Sequence, residues 1–302
     1  MSSSCAYGSP SPSYARPPAF VKKTCFSSLR LAALGLILPF LCTSCADLSA
    51  VAKFAASAKG ASAGFSDIAA DFAGSATRRS LYVSDKEKPN VLSQAETYKA
   101  QEPDMLAAQK VLVDYVAALA AISTDSTTSR DASVQATQAG LQKIGMTANQ
   151  ATAGVGLATK IVDALTAGYR SNKAGKVIHD CNPQLQEYLK GLEQIAGTDY
   201  PLVLATEKTS AEGYYGDLLH KYGKKEPLAA VTIRLQMQQD LEAIAKKQQA
   251  AAAYVKILTD IGEGHQKLYD EGQHMSKKQL GTIVEPYLED IATQSAKVAT
   301  AY

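Results

Sequence analysis

Apolar residues in this chain recur every three or four positions, and no stretch alternates for long with period two. After Pro103 come Leu106, Val113, Val116, Leu119 and Ile122; after Thr147 come Leu157, Ile161, Val162, Leu165 and Tyr169. After Pro183 come Leu185, Leu189, Leu192 and Ile195, and after Pro227 the longest stripe runs Val231, Leu235, Leu241, Ile244, Val255, Leu258, Ile261. A last stripe holds Leu280, Ile283, Val284, Leu288, Ile291 and Val298. This is the spacing of one face of an α-helix. Trp is absent and Phe numbers only 6, which argues against a β-sandwich or barrel. The reading is an all-α fold: an elongated antiparallel bundle of about seven helices after a cleaved signal peptide.

Local signals place the helix ends. Pro103, Pro183, Pro201 and Pro227 each precede a periodic run, where a missing N–H costs nothing, and Asn182 suits the N-cap before Pro183. Thr147–Gln150 and Ser276–Gln279 have the form of capping boxes. Loops are expected at 85–90, 123–129 and 222–226. The Ala/Gly/Ser-rich stretch 48–76 carries Phe54, Phe65, Ile68 and Phe72 near helical spacing, so a packed helix interrupted near Gly60 and Gly64 is expected. Pro286 falls inside the last helix and should kink it. Residues 115–122 (YVAALAAI) echo 254–261 (YVKILTDI), an echo that Ala-rich helices also produce by chance.

The N-terminus reads as an address. Residues 2–18 are rich in Ser and Pro; Lys22, Lys23 and Arg30 then precede an apolar run from Leu31 to Leu41. Eleven helical residues span about 16 Å, roughly half a bilayer core, so a secretory signal fits better than a spanning helix. Leu41-Cys42-Thr43-Ser44-Cys45 resembles the lipobox of bacterial lipoproteins, with Cys42 standing where that family usually has Leu. The resemblance implies cleavage before Cys45, a diacylglycerol on its thiol and acylation of its amine. Two or three acyl chains give durable attachment where one does not. Starting at Val21 would give a compact signal of ordinary form, so the expected divisions are an extension at 1–20, a signal peptide at 21–44 and a mature domain at 45–302. Ala46 is not the Asp that retains such proteins in the inner membrane of enteric bacteria, so by the same analogy the outer membrane is favoured.

Cleavage removes Arg16, Lys22, Lys23 and Arg30 and no acid, turning a net charge of +2 into −2. Nucleic-acid binding by bulk charge is not expected. Of the five cysteines Cys45 and Cys181 remain, so there is no disulfide framework. Chemistry is sparse. Glu271-Gly-Gln-His274 has the E-x-x-H form of di-iron bundles, and Asp217-Leu-Leu-His220 is a near relative, but a site needs two such segments. Gly154-Val-Gly156 with Lys160 lacks the strand and spacing of a phosphate loop and suits close helix packing. Asp180 beside Cys181 would raise the thiol pKa, and Lys246-Lys247 and Lys277-Lys278 suit solvated faces. Tyr is plentiful at 15, fitting core and boundary packing or semi-exposed contact surfaces. The expected protein is not an enzyme and holds no cofactor or metal: a lipid-anchored scaffold, adaptor or assembly factor facing the periplasm and contacting an envelope partner. The alternative is a lipoprotein holding a small or apolar ligand between helices.

Overall fold

A computed structural model describes residues 48–124, 136–167, 169, 173–272 and 277–302, all within one compact unit spanning Ser44–Tyr302. They form α1 (Ser49–Ser62), α2 (Phe65–Arg79), α3 (Lys88–Ser123), α4 (Gln138–Lys143), α5 (Ala148–Thr166), α6 (Ala174–Gln194), α7 (Tyr200–Tyr222), α8 (Pro227–Glu271) and α9 (Lys277–Ala299). A π turn at Ile195–Asp199 joins α6 to α7 without a break. Counting that pair as one rod and setting the short α4 aside, seven long helical rods carry an all-α bundle among the described residues. The main neighbours are α8 with α9, α1 and α2 with α3, α7 with α8, α5 with α6, and α6 with α8.

Two of the four prolines depart from their expected places, while Pro201 and Pro227 stand in the first turn of α7 and α8. Pro103 lies inside α3 and Pro183 inside α6. Each removes one backbone bond from its helix, yet the buried side chains continue across both sites, from Val91 and Ala95 to Met105 and Leu112, and from Val177 and Ile178 to Leu185. Tertiary packing outweighs the local cost. Pro201 follows the π turn, whose widened ladder carries the chain past the missing N–H. Pro227 does open a helix. Asn182 is no cap: its side chain turns into the core.

Several other local signals hold, though the loop expected at 85–90 gives way to α3 from Lys88 and most of the one expected at 123–129 lies outside the described residues. Thr147 caps α5 in a full capping box, the Thr147 hydroxyl accepting from the Gln150 N–H while Gln150 accepts from the Thr147 N–H. Gly145 ahead of it has φ of 101°, a turn that disfavours a side chain. The 48–76 stretch is two packed helices parted at Ala63–Gly64, with Phe54, Phe65, Ile68 and Phe72 buried. Pro286 sits within α9. Ser276, proposed to open α9, lies outside the described residues. In a chain without Trp, the largest fully buried side chains are tyrosines: Tyr115, Tyr188, Tyr200 and Tyr254. Of the described helices only α3 is long and apolar enough to cross a membrane, and two-thirds of its apolar window is buried in the bundle.

Candidate functional site

The outer half of α7 and the first half of α8 form an antiparallel arm. From Glu212 to Asp240 only Tyr215 and Ala230 are buried. On α8 the side chains of Leu228, Val231 and Leu235 are 82, 50 and 57% exposed. They are followed by exposed Gln238 and Glu242, giving intervals of three, four, three and four residues. That is the a/d seam of a coiled coil, facing water. A lone exposed leucine is ordinary; here three apolar side chains stand in a row along one exposed helix face. The sequence shows the period of Val231 and Leu235 and suggests a core stripe; the structure turns both outward.

The root of the arm is fixed by polar and aromatic contacts. Tyr82, from the α2–α3 connection, and Tyr215 both donate to Asp240 Oδ2, at 2.8 and 2.5 Å. The rings of Tyr82, Tyr214 and Tyr215 lie 5.3 to 5.9 Å apart. Burial and the Asp240 carboxylate push the phenol pKa values of Tyr82 and Tyr215 up, so both remain donors.

Further in, α2, α7 and α8 are tied by a charge network. Arg78 donates to Asp71 at 2.7 and 3.0 Å and to Glu207 at 2.7 and 3.0 Å. Ser75 adds a bond to Glu207 at 2.6 Å; Lys247 and Tyr200 donate to Asp71 at 2.6 and 2.7 Å. Tyr302 closes the set against the Tyr200 hydroxyl at 2.8 Å. Two carboxylates thus face two cations. Burial alone would raise the Asp71 pKa, but the bonds from Arg78 and Lys247, with the Arg78 charge and the Tyr200 bond, hold it below the usual carboxylate range. Arg78 is raised despite its burial by the two carboxylates it holds. Lys247, expected on a solvated face, is instead the partner of Asp71. Asp71 and Arg78 stand seven apart on one helix, the single trace of the network in the sequence.

A second polar cluster lies under α6. The His265 Nδ1–H donates to Asn182 Oδ1 at 2.8 Å, and its Nε2 accepts from the Tyr115 hydroxyl. Asn182 donates to Gln266 at 2.7 Å, and Gln186 reaches both Asn182 and the Gly262 carbonyl. Burial pushes the His265 pKa down to about 3. With one ring nitrogen donating and the other accepting, the neutral imidazole is satisfied and closed off, a strut rather than a ligand.

Between α5 and α6 an open cleft of about 460 Å³ is lined by Lys160, Asp163, Tyr169, His179, Cys181 and Gln184. Lys160 donates to Gln184 at 3.0 Å and to the Asp180 carbonyl. Burial pushes the Cys181 thiol up to about 11, with Lys160 lowering it and Asp180 raising it, so it stays protonated and weakly nucleophilic at neutral pH. Gly154 is a packing residue as the sequence suggests: a methyl there would sit 2.6 Å from Tyr188.

The remaining candidates do not converge. Glu271 pairs with Lys267 at 3.4 Å at the end of α8, Asp217 and His220 lie near the exposed end of α7, and His179 stacks on Tyr269. His274, Cys45, the signal peptide at 21–44 and the extension at 1–20 lie outside the described residues. Among the described residues no group of three or more His, Cys, Asp or Glu is placed to hold a metal ion. Comparison with protein-family models, curated proteins and solved structures gives no match. Residue chemistry and geometry therefore carry the functional reading.

Proposed function

We propose that this chain is a lipid-anchored cell-envelope scaffold or adaptor, held by Cys45 in the outer membrane and acting through protein contacts made by the α7–α8 arm. The exposed seam of Leu228, Val231 and Leu235 carries the contact part of the reading. Apolar side chains in register along a helix cost free energy in water and gain it against a partner. The lipobox resemblance at Leu41–Cys45 carries the anchor. The ionic root supports the same reading, since it ties α2 to α7 and α8 at the base of the arm, and a preorganised surface loses less entropy on binding.

The test is mild extraction of wild-type protein and of a Leu228→Ser, Leu235→Ser variant from their own membranes. The wild type is expected in an assembly larger than the monomer, with its first peptide beginning at acylated Cys45. The variant is expected to keep that peptide and its helical circular dichroism but run as a monomer. Equal assembly in both would refute the contact role; an unmodified Cys45 would refute the anchor. A second reading, a small or apolar ligand held in the α5–α6 cleft, is favoured by the volume of that cleft. It requires a small molecule to survive purification in native mass spectra and to leave when Val177, which also lines the cleft, is replaced by Trp.

A further inference from the structure

We propose that a pocket between α2, α3 and α7 binds a small monocarboxylate on the Arg79 guanidinium. The pocket shares no residue with the seam of the arm or with the α5–α6 cleft, so it rests on neither reading above. Its volume is about 150 Å³, and its lining includes the polar residues Arg79, Gln94 and Tyr98. A cavity of that size holds a molecule of about six non-hydrogen atoms. Among the described residues no carboxylate pairs with Arg79, and its one hydrogen bond runs from Nη1 to Gln94 Oε1 at 3.0 Å. Its Nε is buried with no acceptor. A buried donor left unpaired costs free energy, and a bound ion or water is a common reason for one. Arg78, one residue earlier, shows what such an edge takes: its Nε and Nη2 hold the two oxygens of Glu207 at 2.7 and 3.0 Å.

Gln94 orients two donors at once. Its carbonyl accepts from Arg79, and its amide donates to the Tyr98 hydroxyl at 3.0 Å, which leaves the Tyr98 O–H to donate onward. The Tyr98 ring stands edge-on to Phe72 with centroids 5.6 Å apart, and burial pushes its phenol pKa up, so it remains a donor at neutral pH. Ser75 and Thr206, also in the lining, already donate to Glu207 and to the Leu202 carbonyl. The donors left over are therefore a guanidinium edge and a phenol. A carboxylate matches them, two coplanar oxygens for the edge and a further lone pair for the phenol. Its alkyl end would meet Ala76, Leu202 and Val203, which complete the lining. The charge count favours a single negative charge. Arg78 and Lys247 already balance Asp71 and Glu207, so Arg79 alone is left to neutralise a ligand. A phosphate dianion would bring a second charge close to Glu207, which Ser75 joins to this wall. Asp199, whose charge reaches Tyr98, does not line the pocket.

The experiment titrates butyrate into the full chain in mild detergent at constant ionic strength, with saturation-transfer NMR as the readout. Binding on the order of 1 mM is expected for so small a ligand. Butyramide, of the same shape but uncharged, should bind about tenfold more weakly or not at all. Arg79→Lys keeps the charge and removes the flat edge, and should lose about tenfold. Tyr98→Phe keeps the ring and removes the donor, and should lose about three- to tenfold. Unchanged helical circular dichroism and Tm in these variants separate a lost ligand from a lost fold; if Arg79→Lys does not fold, Tyr98→Phe and butyramide still decide. Val177→Trp, which alters the α5–α6 cleft, should leave butyrate binding as it is. No transfer to butyrate, or equal binding of butyrate by Arg79→Lys or Tyr98→Phe, would overturn the site. Equal binding of butyramide would overturn the part played by charge. Tighter binding of phosphate than of butyrate would overturn the carboxylate in favour of a tetrahedral oxyanion. Loss in Val177→Trp with none in Arg79→Lys would move the ligand to the other cleft and overturn the site as well.

Discussion

Inside the bundle the helices approach so closely that a methyl added at Gly154 would lie 2.6 Å from Tyr188, and one at Gly264 would lie 2.5 Å from Phe54. On the arm, Leu228 leaves four-fifths of its surface in water. The two regions draw on the same apolar residue types and the same helical period, and differ in whether a facing helix exists to receive them. Body residues are fixed by neighbours on several sides, so their substitutions should be read out as stability. Arm residues touch little within the chain, so theirs should be read out as association.

The largest stability effect is expected at the ionic root. Arg78→Ala leaves the buried Glu207 carboxylate without its cation and should cost about 3 kcal/mol in urea unfolding, toward the lower end for a broken buried pair because the guanidinium is one-third exposed. A loss below about 1 kcal/mol would make the root no firmer than a surface pair and erase the contrast with the arm. Next in size is Gly154→Ala, expected to cost about 1–3 kcal/mol by forcing Tyr188 and Leu141 aside, measured as a lowered Tm with unchanged helical content.

The His265 strut predicts a pH dependence. Its folded pKa is pushed down to about 3, whereas the unfolded chain takes up that proton near 6.5. Between these values the unfolded state binds the extra proton, so the contribution is complete above about pH 6.5 and is lost as pH falls, by up to ~1.4 kcal/mol per pH unit. Unfolding followed from pH 7 to 4 should show a shallower decline in His265→Gln than in the wild type. Equal slopes would mean that the imidazole is not held neutral. The smallest stability effect is expected on the arm: Leu228→Ser with Leu235→Ser should change unfolding free energy by no more than about 0.5 kcal/mol. A loss of 2 kcal/mol or more would make the seam part of the fold.

The sequence shows the helices of the body well, because a buried stripe and a 3.6 period are the same fact seen twice. The capping box at Thr147 and the break near Gly64 were equally legible, each being set by neighbours a few residues away. Pro103 and Pro183 misled because the cost of a lost backbone bond is local, whereas the packing that outweighs it comes from distant helices. For the same reason Lys247 reads as a solvated lysine until α2 brings Asp71 within 2.6 Å. The arm was half legible: the period of Val231 and Leu235 marks an apolar helix face, but period alone does not say whether that face is buried or exposed. The Asp71–Arg78–Glu207 set left only the seven-residue spacing of its first two members, since Glu207 is 129 residues further on.

The most direct test of the arm as the working surface is photo-cross-linking in living cells. A photoreactive residue is placed at position 228 or 235 on the seam, and at position 190, where Lys190 on α6 is exposed, as the control on the body. The account predicts discrete protein adducts from 228 and 235 and none from 190. Adducts of equal yield at all three positions, or none from the seam, would contradict it.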